Sequence, residues 1–384
     1  MKAIHIFTLF FTPESFFDGQ FKYLASQGEE IIVVSSYHAD SKAFAERNGI
    51  RFVPIEMPRA LSPMSILKAI GDIVKLIRSE KPDAVFGHTP VAALCAMVAS
   101  RLCGVKNRIY YRHGLIYTTM KGVKRHIFRE EERFVASLAT AVVNVSHSLS
   151  RLAVKDRLNP DRKQYVIGHG TCGGIDAVNM FNPSLLDHSF LEGKRVELHL
   201  DGASVVYGFC GRICNDKGVP EMIDGFEMFQ KQHPKIKSKL LLIGSMDSRD
   251  SISKERQQQI KSNHDIIVTG IVGKSEIPYY YSLLDVFVFP SYREGFGMGV
   301  LEASAMKIPI LVSHAHGCED SIVEHETGEY IELNPESICH GMELMLDDKK
   351  RRYLGENGRN MVLKWYDSRV MWPLVLDLYK QILK

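Results

Sequence analysis

The sequence predicts an α/β fold of two doubly wound domains, each built on a parallel sheet. Three observations predict it. Short β-rich runs alternate with longer helical patterns through the first half, the signature of βαβ units. The same alternation resumes in the second half, after a polar stretch at Asn182–Gly202 that carries Pro183 and Gly193 and little apolar periodicity. The length, 384 residues, is about twice the roughly 100–200 residues of one typical domain.

In chain order, the first half reads as strands near Ile4–Leu9, Ile31–Ser35, Arg51–Pro54, Ala84–Gly87, Arg108–Tyr111, Ala141–Val145 and Tyr165–Ile167. Between them, Ser65–Arg78 sets Ile66, Ala69, Ile70, Ile73, Val74 and Ile77 at helical spacing, and Val91–Leu102 reads as a helix of small residues. Asn182–Gly202 is the expected linker. Strands then follow near Ser204–Phe209, Leu240–Ile243, Ile266–Thr269, Val286–Phe289, Ile308–Val312 and Tyr330–Glu332. The domains are accordingly drawn at 1–190 and 203–364. Ligands of such sheets bind outside the carboxyl ends of the strands, so the residues just after each strand are the ones to inspect.

Composition excludes several classes. With 45% hydrophobic and 24% charged residues, the chain is neither fibrous nor disordered. A formal charge of +3 does not suggest a nucleic-acid binder. The basic residues are nevertheless uneven: Arg101, Lys106, Arg108, Arg112, Lys121, Lys124, Arg125 and Arg129 fall in the window 84–129, which contains no Asp or Glu. Such a window suits phosphate groups or an anionic membrane surface, or else spreads over several solvated faces.

Seven cysteines at irregular spacing give no disulfide framework and fit a reducing, cytoplasmic setting. Cys210 with Cys214, and His314, His316 and Cys318, lack the second ligand pair of a structural zinc site, so no metal is expected. The apolar start contains His5 and stops at Pro13 and Glu14, which reads as a first buried strand rather than a signal peptide. No run reaches the ~18 apolar residues that span a bilayer. Membrane contact is expected to be peripheral.

Two loops carry the chemistry. Arg293-Glu294-Gly295-Phe296-Gly297-Met298-Gly299-Val300-Leu301-Glu302 follows the strand Val286–Phe289 and opens a helix. Its glycines would allow close backbone approach, the helix amides suit a diphosphate, and the two glutamates can accept hydrogen bonds from sugar and ribose hydroxyls. The bland alternative is a tight turn with a capping acid. The second loop, Gly211-Arg212-Ile213-Cys214-Asn215-Asp216-Lys217-Gly218, offers Arg as a planar fork and Lys as a point charge to one diphosphate. Here the alternative is that Asp216 simply pairs with either cation at the surface.

Taken together, these residues resemble glycosyltransferase family 4 over essentially the whole chain. The Glu-x7-Glu element is matched by Glu294 and Glu302, and the Arg-x4-Lys pair by Arg212 and Lys217. The resemblance implies the GT-B fold, two facing Rossmann-like domains with an interdomain cleft, and a final segment, residues 365–384, that crosses back onto the first domain. It implies that Glu294 holds the donor sugar hydroxyls, Glu302 the ribose, and Arg212 with Lys217 the diphosphate. Gly211, Gly295, Phe296, Gly297, Met298 and Gly299 complete that donor site. His113, in Tyr111-Arg112-His113-Gly114, falls where the family places a histidine beside the donor sugar. It is the catalytic candidate, alongside Glu294, Arg212 and Lys217. Asp18-Gly19-Gln20 stands where many members have a Gly-Gly loop touching phosphate and acceptor, although only Gly19 is glycine here.

The segments His88-Thr89-Pro90, His113-Gly114-Leu115, Gly168-His169-Gly170 and Gly173-Gly174-Ile175-Asp176 resemble a subgroup extending polyprenyl-diphosphate-linked sugars in capsule, O-antigen or glycan assembly. Acceptor contacts are accordingly expected from Asp18, His88, Thr89, Arg112, Lys121, Lys124 and Arg125. The implied partners are a nucleotide-sugar donor, taken as a UDP-sugar, a lipid-linked glycan and an anionic membrane surface, with no nucleic acid. The implied reaction is retaining transfer with no metal or other cofactor. Two readings compete on the same residues: a nucleotide-sugar 2-epimerase, which needs no acceptor, and an inactive sugar- or nucleotide-binding module. A dehydrogenase is disfavoured, because Phe11-Thr12-Pro13-Glu14-Ser15 replaces the glycine-rich loop after the first strand.

Overall fold

Strands buried on both faces of a parallel sheet read as continuous apolar runs, which is why they stand out in a sequence. Each run expected to be a strand is one in the computed structural model of the chain, which describes residues 1–58, 62–171, 173–248 and 250–383. Ends shift by at most three residues, and Arg51–Pro54 and Val286–Phe289 not at all. The first strand ends at Ile6; beyond it the apolar run is still buried, Phe7 against His88 (4.1 Å) and Phe17 (5.4 Å) and Phe10 against Phe44 (5.4 Å).

The chain divides into two compact units. Unit 1 comprises Met1–Gly174 and Ser368–Lys384, and unit 2 comprises Ile175–Asp367. Unit 1 carries β1 (Lys2–Ile6), β2 (Glu30–Ser35), β3 (Arg51–Pro54), β4 (Ala84–His88), β5 (Asn107–Arg112), β6 (Ala141–Asn144) and β7 (Gln164–Val166). They pair in the order β3-β2-β1-β4-β5-β6-β7, every pair parallel. The order reverses between β1 and β4, and that reversal is the switch point at which such sheets bind ligands.

The helix Pro63–Glu80 lays Ala69, Ile73 and Ile77 on the core, as its spacing predicts. The helix Pro90–Leu102 packs closer still. A Cβ on Gly87 of β4 would meet the Ala93 backbone at 2.8 Å, so the small residues of this helix and the glycine beneath it set the helix-to-sheet distance.

Unit 2 carries β8 (Val205–Cys210), β9 (Ser238–Ile243), β10 (Ile266–Gly270), β11 (Val286–Phe289), β12 (Ile310–Ser313) and β13 (Gly328–Ile331). Their order is β10-β9-β8-β11-β12-β13, again all parallel, with the reversal between β8 and β11.

The expected linker at 182–202 is not one. It holds the helix His188–Glu197 and belongs to unit 2, while the first change of unit comes at Gly174/Ile175. Asp187 caps this helix, its Oδ1 accepting from the amides of Ser189 (2.8 Å) and Phe190 (3.3 Å). No residue of the helix is fully buried, which is why no apolar periodicity marks it.

At the second change of unit, Ile175 bridges Asp367, and its amide donates to the carbonyl of Tyr366 (2.7 Å). The final helix, Ser368–Ile382, then packs in unit 1. Its Trp372 donates to the Gly173 carbonyl (2.8 Å), and its Tyr379 ring lies 4.6 Å from Phe86. Trp365 itself stays in unit 2. Among the described residues, no helix is long and apolar enough to cross a membrane.

Candidate functional site

In unit 2 both sequence loops leave the strands that flank the switch point, the Arg212–Lys217 loop from β8 and the Glu294 loop from β11. Gly218 presses them together. Its φ of +66° suits glycine, and a Cβ there would fall 1.9 Å from the Pro290 carbonyl oxygen. Lys217 Nζ consequently pairs with Glu294 Oε1, joining residues 77 apart in sequence whose side chains are 15% and 17% exposed. Asp216 forms its ion pair with Arg293 (2.9 Å) rather than with either cation of its own loop, so the surface pairing offered as the alternative there is not the one formed. The Glu294 loop also lies on the loop after β12, its amide donating to His316 O (3.3 Å) and the Gly297 amide to Gly317 O (3.2 Å).

Arg212 pairs with Asp247, which follows β9, and Asp250 accepts from the Asp216 amide (2.7 Å). Sequence reasoning missed both acids. The signal was available, because Gly244-Ser245-Met246-Asp247 also leaves the carboxyl end of a strand. Glu302 sits apart from Glu294, on the helix Met298–Ala305, and accepts from the Tyr281 hydroxyl (2.9 Å). Burial raises its carboxyl to about 7, partly opposed by the Tyr281 hydrogen bond and the Lys274 charge. Chemically, unit 2 thus offers two cations, each already matched by a carboxylate, beside a protonatable acid.

The donor set drawn from sequence needs corrections. Phe296 is 5% exposed with its ring against Tyr366 (5.5 Å), so its side chain serves the core. The Gly211 amide is engaged with Ile243 O (2.9 Å), continuing the β8–β9 ladder. Gly299 makes room for protein rather than ligand, since a Cβ there would touch the Tyr281 hydroxyl (3.3 Å) and Phe287 (3.5 Å). Gly295 and Met298 lie part-exposed in the same segment, and Gly297 caps the Met298–Ala305 helix without a side-chain bond.

In unit 1 the switch-point strands carry histidines. His5 on β1 bonds through Nδ1 to His88 Nε2 (3.0 Å), and His88 Nδ1 bonds to His113 Nε2 (3.0 Å) just past β5. His5 and His88 are fully buried, and His113 is half-buried. Burial lowers His5 to about 3 and His113 to about 4, and lowers His88 well below the ordinary histidine range with help from its two histidine neighbours. Thr89, at φ +61°, bonds Thr8 (Oγ1 to Oγ1, 2.8 Å) across the same strand ends.

Several expected acceptor contacts fail here. His88 is sealed in the core. Arg112 is 0% exposed: its guanidinium meets Glu132 (3.4 Å), Asn144 (3.0 Å) and Asn159 (3.2 Å), a buried structural hub rather than a ligand contact. Asp18 is engaged by Arg47 (3.1 Å) and Asn48 (2.9 Å). The Gly19 amide donates to Asn48 (3.0 Å), and Trp372 would crowd a Cβ there at 2.9 Å, so this glycine serves packing.

The basic window also divides. Arg101, Lys106 and Arg108 lie at the amino end of β5, remote from its carboxyl end, whereas Lys121, Lys124 and Arg125 are exposed at the start of the helix Gly122–Leu138. Of the histidine–cysteine alternation, His314 and His316 are exposed and Cys318 is buried. Among the described residues, Glu324, His325 and Glu329 approach one another closely enough for a metal ion, but Glu329 is already paired with His325 (2.6 Å) and Lys350 (2.7 Å).

Known families match both halves. Residues 5–146 match the family described as glycosyl transferase 4-like, and residues 192–361 match glycosyl transferases group 1. The chain is 31% identical over 368 residues to the capsular polysaccharide biosynthesis glycosyltransferase CapM of Staphylococcus aureus, covering 95% of this chain and 93% of that protein. It is 24% identical to an Escherichia coli UDP-Gal:α-D-GlcNAc-diphosphoundecaprenol α-1,3-galactosyltransferase, covering 85% and 82%. Among solved structures, Anabaena HepE in complex with UDP-glucose matches with a TM-score of 0.79 at 17% identity over 99% of this chain and 100% of that one. The lipopolysaccharide glycosyltransferase WaaG matches at 0.73 and 14% identity, over 98% and 99%. Both parallel-sheet units thus have the fold of GT-B glycosyltransferases.

Proposed function

This chain belongs to glycosyltransferase family 4, and on that premise we propose that it transfers a sugar, with retention, from a UDP-sugar to a hydroxyl of a polyprenyl-diphosphate-linked glycan in surface polysaccharide assembly. The observation that carries the reading is the pairing of Lys217 with Glu294 at the switch point of unit 2, with Arg212 on the same loop. In this reading unit 2 binds the donor. Incoming phosphate oxygens replace the carboxylates on Arg212 and Lys217, which frees Glu294 for the sugar hydroxyls and leaves Glu302 for the ribose. Unit 1 takes the acceptor, and His113 is its catalytic candidate.

As the glycosidic bond to the diphosphate breaks, negative charge grows on the leaving oxygen, and Arg212 and Lys217 stabilise it where it develops. The acceptor hydroxyl attacks from the same face, and its proton passes to the departing phosphate. The choice of UDP and of a lipid-linked acceptor is supported by the UDP bound in HepE and by the undecaprenol-linked substrates named for the E. coli relative. Lys121, Lys124 and Arg125, beside the exposed Val123 and Ile127 on one helix, are the groups we assign to the acceptor's diphosphate or an anionic membrane.

The test is nucleoside diphosphate release from a panel of UDP- and GDP-sugars, with and without a polyprenyl-diphosphate-sugar acceptor. Acceptor-dependent release from one donor is expected, falling ~10²–10³-fold in Lys217→Ala and collapsing in Glu294→Ala. Release without any acceptor would favour the epimerase reading. Nucleotide binding without release would favour an inactive binding module.

A further inference from the structure

His5, His88 and His113 form one continuous chain in unit 1, and the mechanism above uses only its last member. Each bond in it joins ring nitrogens at 3.0 Å, so each needs one N–H and one lone pair. Burial keeps all three rings neutral at pH 7, which gives each ring a single proton to place. Only two arrangements keep both bonds. If every Nδ1 is protonated, His5 donates to His88 and His88 donates to His113, leaving a bare lone pair on His5 Nε2 and an N–H on His113 Nδ1. If every Nε2 is protonated, the direction reverses, and His5 is left with a buried N–H.

The surroundings of His5 select between them. Its Nε2 is buried and has no hydrogen-bond partner among the described residues, and an orphaned buried N–H is the rarer and costlier fault. The rings cannot readily reorganise to relieve it: His5 stacks on Phe86 (4.3 Å), His88 on Phe7 (4.1 Å) and His113 on Tyr111 (5.5 Å).

We propose that His5 and His88 are positioning residues that lock His113 in the Nδ1–H tautomer, so that it presents a hydrogen-bond donor to a substrate oxygen and does not act as a proton acceptor. The assignment of His113 to substrate rests on the proposed function; the tautomer does not. His113 Nδ1 takes no partner among the described residues, which leaves it available outward. The relay begins on β1, the strand farthest in sequence from β5 among the three that carry it, so the tautomer is set by the sheet order itself.

Long-range 1H–15N spectra of the full-length protein labelled with [15N]histidine test this directly, with single substitutions assigning each ring. The expected result is an Nδ1–H tautomer for His5, His88 and His113 at pH 7. An Nε2–H tautomer at His113, or a mixture of the two in the wild type, would overturn the proposal.

Kinetics give a second arm. In His5→Asn the side-chain amide stands near the position of Nδ1 and keeps the donor, whereas His5→Leu removes it. His5→Leu should lower kcat/KM on the order of tenfold, about one hydrogen bond's worth of bias, with His5→Asn retaining most of the activity. UDP affinity should be unchanged in both. His5→Leu at the wild-type rate would sink the idea. If no donor is turned over while the spectra still give Nδ1–H, the glycosyl-transfer reading fails and the tautomer assignment stands.

Discussion

Glu302 shows at the scale of one residue how burial sets chemistry. Its carboxyl is raised to about 7 because burial disfavours the charge, and the Tyr281 hydroxyl and Lys274 recover only part of it. A folded-state value above the unfolded one means the folded protein holds the proton more tightly. That contribution to stability is full below about pH 4.5 and is lost as pH rises through about 7. Glu302→Gln, which can still accept from Tyr281, should therefore gain on the wild type across that window, by on the order of 3 kcal/mol at most. Melting temperatures of both proteins between pH 4.5 and 8 check it, and a pH-independent difference would refute it. Arg112 and His113 make the same point about legibility. Successive side chains on a strand point to opposite faces, so these neighbours cannot both face a ligand. Tyr110 and Arg112 share the Glu132 face, while Tyr111 and His113 share the His88 face. Period-two alternation alone would have removed Arg112 from the acceptor set.

Among elements, the loops after β8 and β11 act as one unit because no side chain separates them at Gly218. Gly218→Ala would place a Cβ against the Pro290 carbonyl in a left-handed conformation, and the loops must part to admit it. The Lys217–Glu294 pair should then be misset: kcat/KM for donor falls roughly tenfold or more, since misplacement by about an ångström can cost a hundredfold, while the far-UV spectrum and the folding of unit 1 are preserved. Calorimetry beside steady-state rates would show this, and wild-type rates would contradict it. Helix His188–Glu197 marks the opposite limit, an element invisible to periodicity because it buries nothing completely. Only its Asp187 cap, with amides two and three residues on, left a sequence trace.

For the whole molecule, the chain's end is structurally part of its beginning. Trp372 covers Gly19 and holds Gly173, and Tyr379 packs beside His5 and Phe86. Trp372→Ala should destabilise unit 1 by about 2–3 kcal/mol, somewhat below a fully buried tryptophan because the ring is part-exposed. Two-transition calorimetry should show the unit 1 transition moving down while that of unit 2 stays in place. A shift confined to unit 2 would contradict the assignment of the final helix.

The sequence by itself determined the strands and the parallel α/β class, because strands buried on both faces must be apolar, and it singled out Arg212, Lys217, Glu294 and Glu302 as candidates, because ligand-facing loops follow such strands. Which side chains meet was decided by tertiary structure. The pairing of Lys217 with Glu294, of Arg212 with Asp247 and of His5 with His88 and His113 depends on sheet order, which brings β8 beside β11 and β1 beside β4. The division of the basic window between the two ends of β5 has the same origin, since residues close in sequence are carried to opposite ends of a strand.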